Sequence, residues 1–358
     1  MLPRRQFLLQ LAALALPLPA WAASGEGGRV LLSASWDADA SGAPQGFLRP
    51  TDASIAPPIA LPGRGHSILP LSNGQAIIVS RRLGSWLAKI DWRQGKVLQM
   101  VEAEFDRQFF GHALLTPDGK TLITTENDGE TGQGILGLYS ATTLKRLGEI
   151  PSHGIGPHEL LWLADGKILA VANGGVLTLP ETGRRKLNAG AIQSVLSLIA
   201  WPSGQLLNEY RLDDASLSMR HLARSSDGAL GIALQAEYLD ASANQDAPLL
   251  AIFRDGQLKL AATQAGLRGY GASIATVGNQ FLVTALQGNA LARWTSEGDA
   301  LPALPFERAA GIASDGQQAW VSSETGALAH FDPKSANLTP LPHVAAHRWD
   351  NHLVIAQG

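Results

Sequence analysis

Residues 156–173 read GPHELLWLADGKILAVAN. Two short apolar runs flank Asp165-Gly166, a pair that accepts the positive φ values a tight hairpin turn requires. The stretch predicts two antiparallel strands, with His158 at the start of the first. The layout recurs outward in both directions. GHSILPLSNGQAIIVS begins at 65, GHALLTPDGKTLITTE at 111 and RHLARSSDGALGIALQ at 220. YGASIATVGNQFLVTAL begins at 270, RAAGIASDGQQAWVSSE at 308 and PHVAAHRWDNHLVIAQ at 342. In the last of these Asp350-Asn351 reads as the turn.

A third strand and often a second turn follow each pair, as in WLAKIDWRQGKVLQMVE (86–102) and GILGLYSATTLKRLGEI (134–150). Four strands per repeat at this spacing is the pattern of β-propeller blades. His66, His112 and His158 stand 46 residues apart, and the 63-residue step to His221 implies an insertion, placed at 173–197 where the strand pattern lapses. The seventh repeat runs out at the C-terminus while GRVLLSASW (28–36) and the segment 46–61 are left over. Pairing them closes the ring and removes two exposed sheet edges. The expected fold is all-β: one seven-bladed propeller whose N-terminal strands complete the last blade.

Composition narrows the function classes. A net charge of −3 gives no electrostatic case for nucleic acid or an anionic membrane surface. With no cysteine, thiolate metal sites and disulfides are excluded, and His, Asp, Glu and Met remain as ligands. Phosphate-loop and nucleophile-elbow motifs are missing, so neither a nucleotide cofactor nor a serine hydrolase is expected.

The histidines share a phase. His66, His112, His158, His221 and His343 each fall six or seven residues before the Asp or Asn of their turn; Tyr270-Gly271 and Arg308-Ala309 occupy that slot in the other two repeats. With only 9 histidines in 358 residues, five of seven slots is far from random filling. The first strand of a propeller blade lines the central channel, so equivalent positions converge on its axis. A ring of neutral imidazoles is a transition-metal site, with copper or iron expected ahead of zinc. At an ordinary imidazole pKa, such a site should release its ion below about pH 6. Arg64, Arg220, Arg268 and Arg308 flank the slots and, with Tyr270, are candidates for holding a small anion. His153, His330, His347 and His352 are off phase and read as ordinary. The acidic loop TTENDGETGQG (124–134) lacks EF-hand spacing and reads as a solvated turn. Two readings compete with a metal-binding protein: a propeller enzyme, oxidoreductase or lactonase-type, using the same channel mouth, and an interaction scaffold whose histidines bond within each blade.

The N-terminal sequence MLPRRQFLLQLAALALPLPAWA resembles a twin-arginine (Tat) signal peptide. It has Arg4-Arg5, an apolar run from Leu8 to Leu18 and the cleavage signal Ala20-Trp21-Ala22. The run is too short to span a bilayer of ~30 Å, so residues 1–22 are expected to be removed and 23–358 to be a soluble, monomeric periplasmic domain.

In RRQFL, GHALLTPDGKTLITTEND, GIGPHELLWLADGKILAVANGG and LSMRHLARSSDG, the chain resembles an uncharacterised bacterial family of Tat-exported proteins built on a domain of unknown function. That family is similar in architecture to the YVTN/amine-dehydrogenase-like propellers, and its genes often accompany imelysin-type iron-uptake proteins. The resemblance implies a role in periplasmic iron or copper handling, with uptake proteins as partners. The sequence departs from the family at Leu179, where GGVLTLP replaces a histidine-bearing Gly-Gly-Ile-x-Thr-His-Pro.

Overall fold

The computed structural model describes residues 29–38, 44–52, 54–163, 166–341 and 347–357. The signal-like segment 1–22, Asp165 and His343 lie outside the described residues. Strands make up 57% of the structure and helix 3%, in seven four-stranded antiparallel blades arranged in a ring. No helix among the described residues is long and apolar enough to cross a membrane.

Six blades are sequential: β4–β7 (Gly65–Glu102), β8–β11 (Arg107–Pro151), β12–β15 (Pro157–Tyr210), β16–β19 (Leu217–Leu260), β20–β23 (Gly271–Pro305) and β24–β27 (Ala309–Leu341). The seventh joins the ends of the described chain. β28 (Arg348–Gln357) is its innermost strand, followed outward by β1 (Arg29–Ala38), β2 (Pro44–Pro50) and β3 (Ile59–Leu61). β1 and β28 run antiparallel from Arg29 opposite Gln357 to Trp36 opposite Arg348. Among the described residues the C-terminal contribution is one strand, where the sequence suggests two. Asp350-Asn351 is not a turn but lies inside β28, because the hairpin partner of this strand is β1 from the other end of the chain.

In the β4–β7 blade the inner hairpin turn has Asn73 and Gly74 at φ 60° and 75°, the left-handed pair of a two-residue turn. Exposure grades outward. The second strand QAIIVS is almost wholly buried, whereas the outermost strands, such as β7 and β11, alternate or face solvent. Apolar clusters fill the wedges between neighbouring blades. One joins Ile252 and Leu250 of the fourth blade to Phe281, Val283 and Trp294 of the fifth. Gly231 makes room there; a Cβ on it would lie 2.5 Å from the Phe281 ring. Each such fully buried aromatic contributes about 1.5–3 kcal/mol of hydrophobic stabilisation, and without disulfides these wedges and the strand ladders hold the ring together.

The extra residues before His221 fall between β13 (Ile168–Asn173) and β14 (Val195–Ala200), matching the insertion read from the sequence. A second long connection, 237–249, links β17 (Leu230–Ala236) to β18 (Leu250–Arg254). Both leave the sheets at the end where the inner strands begin, opposite the Asn73-Gly74 type of turn.

Candidate metal centre

Every innermost strand carries a register shift against its neighbour at the same rung. The shifts lie between Gly65 and Ile68, Phe109 and Ala113, Pro157 and Glu159, and Met219 and Leu222. They continue between Gly271 and Ser273 and between Ala309 and Ile312, and β28 shifts across Trp349–Leu353. A β-bulge leaves a residue out of the ladder and re-aims its side chain. The residues on these bulges are His66, His112, His158, His221, Ala272, Ala310 and His352. The pairing rungs fix the equivalence: Gly65 faces Ser80, Pro157 faces Asn173, Gly271 faces Ala285 and Ala309 faces Ser323, each just before the bulged residue.

Two sequence assignments change. The seventh blade supplies His352, which is off phase by sequence, because Asp350-Asn351 lies inside β28 and forms no turn to count from. The slots of the fifth and sixth blades hold Ala272 and Ala310, each two residues past Tyr270 and Arg308. The bulge, not the distance to the turn, sets the phase.

The five imidazoles come from consecutive blades, seven through four, and meet at the axis. Neighbouring ring centroids are 4.4 Å (His352–His66), 5.1 Å (His66–His112 and His112–His158) and 4.6 Å (His158–His221) apart. His221 and His352 close to 4.8 Å across the two alanine blades, where Ala272, Ala310 and Leu286 form a small apolar wall. Two trios, His66–His112–His352 and His112–His158–His221, each bring three ring nitrogens within 4.8 Å of one another, and His112 belongs to both.

His158 Nε2 and His221 Nε2 face each other at 3.3 Å, as do His352 Nε2 and His66 Nε2. Two nitrogens bound at ~2.0–2.1 Å to one tetrahedral ion lie ~3.3 Å apart, so the spacing fits a shared ion. The donor chemistry fits too. The buried His112 Nε2 has no hydrogen-bond partner, and neither do His66 Nδ1 and His158 Nδ1. A buried unpaired ring nitrogen is unfavourable unless something ligates it. No imidazole nitrogen of the five bonds to backbone among the described residues, in contrast to His153, whose Nε2 sits 2.9 Å from the Gly204 carbonyl.

Two carboxylates stand behind the rings, and one of them is hydrogen-bonded to His221. Glu159 Oε2 accepts from His221 Nδ1 at 3.1 Å and from the Leu222 amide at 3.0 Å, and its Oε1 lies 3.6 Å from His112 Nδ1. Fixing Nδ1–H on His221 leaves its Nε2 lone pair toward the axis, the arrangement found behind metal-bound histidines. Asp350, buried in β28, lies 3.9 Å from His66 Nδ1 and is itself held by Arg64 at 2.7 Å and Arg81 at 3.5 Å. Those arginines keep its carboxyl well below the usual range despite burial. The sequence reading missed both carboxylates. Glu159 follows His158 directly in PHELLW and is legible as a neighbour, whereas Asp350 reads in the sequence as a turn residue.

Burial, more than any neighbour, depresses the imidazoles: His66 to about 4 and His112, His158 and His352 well below the ordinary value. All four are therefore neutral, ligand-competent rings near neutral pH.

A cavity of about 320 Å³ opens beside the cluster, with His66, His158 and His221 in its wall. Of the anion candidates, Arg220 and Tyr270 line it. Arg64 is outside the lining and pairs with Asp350, Arg268 is exposed and also outside it, and Arg308 pairs with Glu324. The remaining cations, Arg81, Arg82, Arg184 and Lys186, come from the loop between β5 (Gln75–Ser80) and β6 (Trp86–Asp91) and from the insertion. Leu179 is not in the lining. The acidic loop is structurally occupied. Buried Glu126 pairs with Arg146 at 2.8 Å and accepts from Tyr139 at 2.9 Å, and Asp128 accepts from the Glu130 and Thr131 amides.

Fold and site together define a seven-bladed propeller with an axial histidine cluster on one face. Residues 59–356 match the family described as protein of unknown function DUF1513, and the chain belongs to that family. No curated protein matches the sequence. Among solved structures it is similar to hydrazine synthase of Kuenenia stuttgartiensis, at 12% identity and TM-score 0.57, covering 84% of this chain and 90% of that one. It is also similar to a functionally unknown protein from Desulfotomaculum acetoxidans DSM 771, at 16% identity and TM-score 0.54, covering 76% and 79%. At such identities the likeness is one of fold.

Proposed function

We propose that the protein is a periplasmic metal-binding propeller of iron or copper handling, and that its axial histidines hold the ion. The observation that carries this reading is the convergence of five imidazoles from five blades, with two Nε2 pairs at 3.3 Å and an orphaned His112 Nε2 between them. Five rings exceed the four ligands of a closed zinc site, and imidazole-rich sets favour copper most strongly among the divalent ions. The Tat-like residues Arg4-Arg5 support export, and uptake proteins of the same compartment are the partners this role calls for.

Elemental analysis of protein isolated from periplasm, followed by titration of stripped protein with Cu(II) and Fe(II), tests the reading. One or two ions per chain are expected, lost in His112→Ala/His158→Ala with the fold retained by circular dichroism. Folded protein that takes up neither ion refutes it.

A further inference from the structure

The cavity beside the histidines has a chemistry of its own. Its lining carries Arg81, Arg82, Arg184, Lys186 and Arg220 against one carboxylate, Glu237. Glu237 is already engaged by Arg220 at 3.2 Å and by Lys186, and Arg81 leans on Asp350. Arg82 and Arg184 have no carboxylate partner among the described residues; Arg184 donates to the Arg82 carbonyl at 3.3 Å. Arginines from two separate loops are thus held side by side without counter-charge, one of them over the Phe110 ring at 5.8 Å. Burial and the neighbouring Arg220 and Arg184 push the Arg82 guanidinium down to about 9, the direction that a bound anion would reverse.

The volume of about 320 Å³ lies at the small end of ligand sites, ~300–1,000 Å³. Its wall runs from the ring nitrogens of His66, His158 and His221 to the guanidinium pair. Gln235, Gln287 and Tyr270 add neutral hydrogen-bonding groups. A ligand filling this space needs an anionic group for the fork-shaped guanidinium donors and a second donor directed at the histidines.

Building on the metal reading, we propose that the cavity binds a small polycarboxylate, one carboxylate held by Arg82 and Arg184 and another directed at the histidine-held ion. The protein would then take a metal together with its carboxylate chelator rather than the bare ion.

The test is titration calorimetry of the full-length mature protein with citrate, in metal-free and Cu(II)-loaded forms, with inorganic phosphate as a comparison. Citrate is expected to bind the metal-free protein and to bind the loaded protein at least 10-fold more tightly. Arg184→Gln, at an exposed position, is expected to weaken citrate at least 10-fold while leaving Cu(II) stoichiometry unchanged. Arg82→Gln should do the same if it folds, and Arg268→Gln, outside the cavity, should change nothing. Absence of citrate binding, citrate binding unaltered in Arg184→Gln, or phosphate binding as tight as citrate would overturn the proposal. Because Cu(II) uptake is read separately, loss of the metal reading and loss of the anion reading give different outcomes.

Discussion

Lowering the pH of the metal-free protein should destabilise it through the histidine cluster, and His66 gives the size of the effect. Its ring is buried, with His352 Nε2 at 3.3 Å, His112, His158 and His221 centroids at 5.1, 5.6 and 6.3 Å, and Asp350 at 3.9 Å backed by Arg64 and Arg81. Burial lowers its pKa from 6.5 to about 4, with Asp350 opposing. Above pH 6.5 the ring is neutral folded and unfolded and contributes no pH dependence. Between 6.5 and 4 only the unfolded chain takes up the proton, so stability falls as pH falls. Below about 4 both forms are protonated and the loss is complete. At about 1.36 kcal/mol per pKa unit, that difference amounts to roughly 3 kcal/mol. Urea unfolding of wild type and His66→Gln at pH 7.0, 5.5 and 4.0 isolates the ring, since changes common to both proteins cancel. The stability difference should move by roughly 3 kcal/mol in favour of the variant between pH 7.0 and 4.0. An offset that stays constant across this range would show that His66 is not held neutral by burial, and the account of the cluster's electrostatics would fail.

The same depression moves metal release. With His66 at about 4, bound Cu(II) should survive dialysis at pH 5.5 and be lost toward pH 4, below the pH of about 6 expected for ordinary imidazoles. His352→Ala should lower metal content as His66→Ala does, whereas His330→Ala, whose ring bonds Gln318, should leave it unchanged by elemental analysis. Glu159→Gln removes the carboxylate behind His221 and His112 and should weaken metal affinity about 10–100-fold in competition titrations. Gly231→Ala drives a Cβ against Phe281 and should cost about 1–3 kcal/mol in denaturant unfolding, with metal binding retained.

The blade count and ring closure were legible because five inner hairpins announce themselves through Asn-Gly or Asp-Gly between apolar runs, a sixth through Gly278-Asn279, and a strand left over at each end must pair. Four of the five clustered histidines were legible for the same reason. His352 was not. Its strand has no hairpin turn of its own among the described residues, so counting from Asp350-Asn351 points to His343, which lies outside the described residues, and passes over His352. Trp349 and Leu353 bracket the bulge that carries His352 as Gly65 and Ile68 bracket the one that carries His66, a match that only the pairing of β28 with β1 reveals. Arg82, Arg184 and Lys186 were invisible for a different reason. They come from loops whose meeting point depends on the size and tilt of the blades, which no local pattern encodes.

Since β28 delivers both His352 and Asp350, the centre cannot be finished by six blades alone. A chain still lacking its last strand would present four imidazoles and no carboxylate behind His66. Occupancy by the ion would then act as a lock on circularisation, rewarding the union of the two termini and making the loaded ring slower to reopen than the empty one.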